Sequence, residues 1–339
     1  MQKISYERAG APTCSVEAKK LTSGESLEMY DPIIKDKSRV SFTCDISSFG
    51  DGAMIAVGRG YNFSNGAWVE ITKDRVCAYK YFSYAEPQLR PIEPQAEHSL
   101  VLSDFLTVMI NEDIKKGSYI SITTSSGSIK IETPDFHACD GKIFALAEGC
   151  ELENCRLNWL CDGFAFPIWI YGDSYLGHTS SARWPYYLYR DGFDRVLLSG
   201  YPGMGSTRAI EDFKHSLERG TPAFALWCLG MNNSDNSDDL PNPAWLSATE
   251  EFLAICKDKG ITPVLSTIPC IPTRNNTAKN AWVRASGHRY VDFNRAVGAH
   301  KDPAWYPEMQ STDGVHPAVK GAEALYAQVL VDFPEIMVR

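Results

Sequence analysis

The hydrophobic pattern changes period once, near Pro167, and that single change constrains the fold more than any other feature. Before it, short segments alternate apolar and polar residues with period two: Arg39–Ile46, Trp68–Thr72, Leu106–Ile110, Tyr119–Thr123 and Ser128–Glu132. Turn formers punctuate them at Gly50-Asp51-Gly52, Asn65-Gly66 and Ser126-Gly127. After it, continuous apolar runs (Ile168–Tyr171, Arg195–Leu198, Ala223–Leu229, Thr262–Ser266) alternate with helical stretches at Ala182–Arg190, Arg208–Leu217, Ala248–Asp258 and Ala318–Leu330. Short alternating strands imply an all-β sandwich or jelly roll. Buried strands alternating with helices imply a parallel sheet covered on both faces, a three-layer α/β/α unit. The expected division is therefore an all-β domain over 1–160 and an α/β domain over 161–339, joined through Cys150–Phe166.

A chain of 339 residues is long enough for two cores. No apolar run is long enough to span a bilayer, so no membrane partner is expected. The formal charge of −9 and the lack of a Lys/Arg stripe argue against nucleic acid and for a neutral small-molecule or glycan substrate. The ten cysteines show no CxxC spacing, so buried reduced thiols are expected; a disulfide or metal among Cys139, Cys150, Cys155 and Cys161 is the less favoured alternative. Met1–Arg8 lacks the apolar core of a signal peptide, which favours the cytoplasm, although an exported protein stripped of its leader would read the same. Oligomeric state is left open.

Four short blocks in the second half carry chemistry: Gly172-Asp173-Ser174, Gly200-Tyr201-Pro202-Gly203, Gly230-Met231-Asn232-Asn233 and Asp313-Gly314-Val315-His316. The first three follow predicted strand ends, where ligands of parallel sheets bind. A serine hydroxyl attacks a carbonyl only when a base takes its proton. His316 is that base, and Asp313, three residues earlier, can accept from Nδ1–H and leave Nε2 for Ser174. The N–H groups of Ser174 and Gly203 and the side-chain amide of Asn232 would form an oxyanion hole. In isolation Ser174 would be read as a helix cap, Asp313–His316 as a surface turn and the Asn232 block as a loop. Their fixed order favours the chemical reading. No Gly-x-Ser-x-Gly elbow surrounds Ser174, which argues against an α/β-hydrolase.

This set resembles the SGNH, or GDSL-type, hydrolases, with Ser174, Gly203, Asn232 and His316 as the matching quartet. The resemblance runs from about Pro167 to the end and does not extend to the first half. Where that family often has Asn at the start of its second block, Leu197-Leu198-Ser199-Gly200 stands here, so Gly200 and Gly205 are alternatives to Gly203. The resemblance implies a flavodoxin-like SGNH fold and a metal-free, cofactor-free serine esterase or lipase. With the preceding all-β domain it points to O-acetyl groups on a carbohydrate. A lipase of the same family and a non-catalytic glycan-binding protein on a hydrolase fold are the alternatives. Among nearby aromatics, Trp227 and Tyr187 are expected in the core, while Trp305 and Tyr306 are expected to meet substrate. His178, near the nucleophile in sequence, is expected to line the substrate mouth or to be merely exposed.

Overall fold

The computed structural model describes residues 2–3, 13–30, 38–59, 67–80, 94, 96–111, 118–133, 142–176, 181–200, 202–298 and 305–338. Two compact units emerge, Met1–Asp162 and Gly163–Arg339.

The described strands of the first unit are β1 (Gln2–Lys3), β2 (Thr13–Leu21), β3 (Glu25–Tyr30), β4 (Ser38–Arg59), β5 (Ala67–Ile71), β6 (Arg75–Lys80), β7 (Ala96–Ser99), β8 (Phe105–Asn111), β9 (Ser118–Thr124), β10 (Gly127–Thr133) and β11 (Lys142–Cys161). They form one hydrogen-bonded network, antiparallel except for the short β1–β3 pair. The long strands β4 and β11 run beside each other throughout, and each changes its outer partner midway. Residues 39–45 of β4 pair with β8, whereas 55–59 pair with β5. Residues 142–146 of β11 pair with β3, whereas 152–160 pair mostly with β2. Alternation follows burial in β8, where Leu106, Val108 and Ile110 are fully buried.

Two expectations change here. Gly50-Asp51-Gly52 does not end a strand, because β4 continues through it and the pairing with β11 skips from Phe49 to Met54 across an irregularity. Cys150–Cys161 is no linker but the second half of β11. Cys150 and Cys155 are buried free thiols there, as is Cys44 in the neighbouring β4, with desolvation pushing Cys150 up to about 11 and Cys155 up to about 12. Asn65-Gly66, Cys139 and His178 lie outside the described residues.

The second unit contains a parallel sheet of β12 (Ile168–Gly172), β13 (Val196–Gly200), β14 (Phe224–Cys228), β15 (Thr262–Ser266) and β16 (Tyr290–Val291), in the order β13-β12-β14-β15-β16. Its helices are α1 (Trp184–Arg190), α2 (Ser206–Ser216), α3 (Pro243–Lys259), α4 (Thr277–Ala285), α5 (Phe293–Val297) and α6 (Val319–Asp332). Both faces are covered. Tyr171 and Trp227 meet Phe213 of α2 and Phe252 of α3 at ring separations of 5.2 and 4.7 Å, respectively, while Phe224 meets Phe333 just after α6 at 5.5 Å. Helix α3 starts earlier than its apolar period suggests, because Asn242 accepts from Ala244 N and Trp245 N and Pro243 takes the first helical position. Pro317 precedes the α6 cap Ala318 and bridges Gln310. The elements α4, β16 and α5 lie outside the stretches expected from the apolar pattern.

Candidate active site

In the sheet order of the second unit the first strand lies between the second and third, so the chain leaves β12 and β14 to opposite sides. Such a reversal opens a crevice beyond the carboxyl ends of the strands. Gly172 is in register with Gly200 on one side and Cys228 on the other, so three chemistry-bearing loops start at one level.

Ser174 opens a three-residue 3-10 turn directly after β12 and is largely buried. His316 arrives from the loop before α6 and places Nε2 2.8 Å from Ser174 Oγ. Its Nδ1 lies 2.7 Å from Asp313 Oδ2. Since a carboxylate can only accept, Nδ1 carries the proton and Nε2 is left to accept from the serine. Asp313 also fixes the loop that carries its partner: Oδ1 accepts from Val315 N at 2.8 Å and His316 N at 2.9 Å. Desolvation would raise its pKa, but those backbone donors and the His316 side chain outweigh it and hold the carboxyl well below the usual range. The carboxylate therefore stays charged throughout the range in which an imidazole titrates.

Tyr175, which sequence reasoning passed over, joins the two loops. Its hydroxyl donates to Val315 O at 2.5 Å and its ring lies 6.0 Å from that of His316. The residue following the nucleophile thus holds the base loop in place. Its position beside Ser174 was the available signal.

Gly203 occupies a turn after β13 at φ +83°, a conformation that excludes most side chains. Of the alternatives, Gly200 lies within the β13 ladder and Gly205 caps α2. At the end of β14, Gly230 has φ +138°, and a methyl group there would meet Ile268 Cδ1 at 2.8 Å. This tight bend turns the chain into Met231-Asn232. The side chain of Asn232 donates from Nδ2 to Met204 O at 3.0 Å and accepts at Oδ1 from Arg274 at 2.5 Å. Asn233, by contrast, is occupied in capping α2, its Oδ1 accepting from Ser206 N at 3.0 Å.

Asp173 is buried beneath the nucleophile, and its Oδ1 accepts from Tyr175 N at 3.1 Å. Burial raises its pKa to about 6, against the opposing effects of that hydrogen bond and the positive charge of Arg274. A carboxyl raised in the native state binds its proton more tightly folded than unfolded. It contributes stability that is complete below the ordinary carboxylate range and is lost as pH rises through about 6. Urea melts of Asp173→Asn across that interval should therefore show a flatter dependence on pH than the wild type. Two parallel profiles would show that Asp173 does not titrate as described. Asp173 also lines a cavity of about 20 Å³ with Tyr175, Trp184, Leu229, Met231, Ile268 and Phe293 among its walls.

The two aromatic candidates differ in their anchoring. Trp305 is partly buried and donates from Nε1 to Cys270 O at 2.8 Å, beyond the end of β15. Tyr306 is 48% exposed, with its backbone N–H bonded to Val297 O. Among the described residues, no group of three His, Cys, Asp or Glu side chains lies where it could hold a metal, and no helix is long and apolar enough to cross a membrane.

No protein-family model matches the sequence, and no curated protein matches it. Solved structures similar to it include a GDSL-like lipase from Bacteroides thetaiotaomicron, 15% identical over 50% of this chain and 87% of that one, with a TM-score of 0.38. The psychrotrophic esterase EstA from Pseudoalteromonas is 16% identical over 50% of this chain and 96% of that one, with a TM-score of 0.38. A Bacillus subtilis protein is similar over 91% of this chain and 79% of its own length, with 14% identity and a TM-score of 0.42.

Proposed function

We propose that this protein is a serine esterase of the SGNH type that removes small acyl groups, O-acetyl above all, from a carbohydrate. One observation carries the reading: Ser174, His316 and Asp313, drawn from two loops far apart in sequence, form a continuous relay of 2.8 and 2.7 Å at the carboxyl end of a parallel sheet. In this mechanism Ser174 attacks the acyl carbonyl as Nε2 of His316 takes its proton, and Asp313 stabilises the imidazolium. The N–H groups of Ser174 and Gly203 and the free Nδ2–H of Asn232 receive the oxyanion. The imidazolium then protonates the leaving alkoxide. A water activated by the same Nε2 attacks the acyl-serine, and collapse of the second tetrahedral intermediate releases the carboxylate and restores the hydroxyl.

The small acyl group rests on the likeness of Ser174, Gly203, Asn232 and His316 to the SGNH quartet; the cavity of about 20 Å³ beside Asp173 and Tyr175 is lined by none of those four and is not its seat. For the carbohydrate, the support is the all-β first unit, which we read as a β-sandwich whose two layers share β4 and β11. That reading is supported by the change of outer partners along both strands.

A p-nitrophenyl ester series tests it. Acetate should exceed octanoate in kcat/KM by about tenfold or more, since each methylene that a pocket cannot seat costs about 1–3 kcal/mol. Acetylated oligosaccharides should release acetate. Octanoate turned over as fast as acetate would favour a lipase, and binding of the oligosaccharides without any ester turnover would favour a glycan-binding protein.

A further inference from the structure

We infer that Arg274 is a positioning residue that fixes which end of the Asn232 amide faces the oxyanion, an inference that rests on the esterase reading above. The oxygen and nitrogen of a primary amide are nearly alike in size, so rotation about the last side-chain bond exchanges an acceptor for a donor at almost no steric cost. In an oxyanion hole that exchange is damaging. A donor stabilises the developing negative charge, whereas an acceptor in the same place repels it.

Two contacts remove the ambiguity. A guanidinium can only donate, and Arg274 donates from one nitrogen both to Asn232 Oδ1 at 2.5 Å and to Met231 O at 2.9 Å. A carbonyl can only accept, and Met204 O takes one of the Nδ2 hydrogens at 3.0 Å. The flipped amide would place its NH2 against the guanidinium and its oxygen against a carbonyl, two repulsive contacts in exchange for two attractive ones. The second Nδ2 hydrogen is thereby left for substrate. The charge-assisted bond to Oδ1 also polarises the amide and strengthens the remaining N–H as a donor.

Arg274 is itself held. It closes a tight turn through Arg274 N and Ile271 O at 3.2 Å. The next residue binds the Asn232 loop twice, with Asp235 N donating to Asn275 O at 2.8 Å and Asn275 N to Ser234 Oγ at 3.0 Å. Three loops, following β13, β14 and β15, thus meet at one amide: Met204, Asn232 and Arg274. A part of the structure with no block among the recognised four determines the orientation of a residue that has one.

The test uses the full chain and p-nitrophenyl acetate, with Arg274→Met, Arg274→Lys, Asn232→Ala and the Arg274→Met/Asn232→Ala pair. Arg274→Met should lower kcat about 10- to 100-fold, less than or equal to the loss of an oxyanion donor itself, while KM moves by no more than about threefold. Arg274→Lys should recover part of the loss, because an ammonium still only donates. The double variant should be no slower than Asn232→Ala, since a misplaced amide and a missing one fail at the same step. Wild-type kcat in Arg274→Met, a loss confined to KM, or losses that multiply in the double variant would each overturn the inference. If Arg274→Met does not fold, Arg274→Gln decides by the same comparison at native melting temperature, because its amide can present either a donor or an acceptor to Asn232: reduced kcat at unchanged KM supports the inference and wild-type kcat overturns it. Turnover that depends on Ser174 but not on Arg274 overturns this inference alone, whereas absence of esterase turnover in the wild type overturns it together with the reading on which it rests.

Discussion

Replacing Ser174 by Ala should reduce kcat for p-nitrophenyl acetate by about 10⁴- to 10⁶-fold while leaving the melting temperature almost unchanged. The asymmetry follows from the local structure. Ser174 Oγ has His316 Nε2 as its partner at 2.8 Å, and alanine keeps the Cβ of this buried residue while removing only that oxygen. His316→Ala should be comparably severe, and the Ser174→Ala/His316→Ala pair no worse than either alone. A nucleophile without its base and a base without its nucleophile are the same broken unit, so their losses do not add. The residual rate in all three variants would come from the oxyanion donors and substrate binding, which the substitutions leave in place. Near wild-type turnover in Ser174→Ala would remove the serine mechanism altogether. A double variant slower than both singles by the product of their losses would show that Ser174 and His316 act independently despite their contact.

The parts of this molecule that were legible in the sequence share a physical property: their signal is local. Continuous apolar runs announced β12 to β15, and residues able to attack or to donate to an oxyanion stood directly after three of those runs, while the proton acceptor His316 stood three residues after an aspartate in the loop before α6. Where the signal is non-local, the sequence misled or said nothing. The second half of β11 buries Cys150 and Leu152, then Cys155, Leu157, Trp159 and Cys161. The period-two pattern changes phase between Leu152 and Cys155, at a pairing irregularity where Asn154 has φ +50°. Broken alternation reads as a linker. Bulge and turn use the same residues, so Gly50-Asp51-Gly52 reads from sequence as a strand end. The buried face of helix α4 is half polar, with Lys279 and Asn280 beside Ala278 and Val283, and Asn280 bonds both N and O of Ile268 through its amide. Tyr175 and Arg274 find their partners 140 and 42 residues away, respectively. No spacing rule reaches that far.

Lys279→Met should destabilise the second unit by about 3–5 kcal/mol, the largest stability effect expected of any single substitution at the site's supporting residues. The side chains of Lys279 and Asp235 are both fully buried, and their charges lie 2.9 Å apart. Burial pushes the Lys279 ammonium below its ordinary value, opposed by the hydrogen bond and charge of Asp235. Lys279 Nζ also donates to Asn233 O, and Asp235 Oδ1 accepts from Asn242 N at 2.7 Å at the start of α3. The pair thus ties the loop carrying Asn232 to α4 on one side and to α3 on the other. Methionine fills much of the volume but leaves a carboxylate buried without its cation, and it is that uncompensated charge, rather than the lost attraction, that sets the size of the effect. Lys279→Met/Asp235→Asn should therefore recover much of the loss, because the amide keeps an acceptor for Asn242 N while shedding the charge, at the cost of the bond that Asp235 Oδ2 accepts from the backbone N of residue 279 at 3.1 Å. In calorimetry the single variant should lower the transition of the second unit by about 10 °C, and the double variant by much less. A single variant within about 1 kcal/mol of wild type would show that water or local rearrangement solvates Asp235, and that the Asn232 loop is held by its hydrogen bonds to Arg274 and Met204 instead.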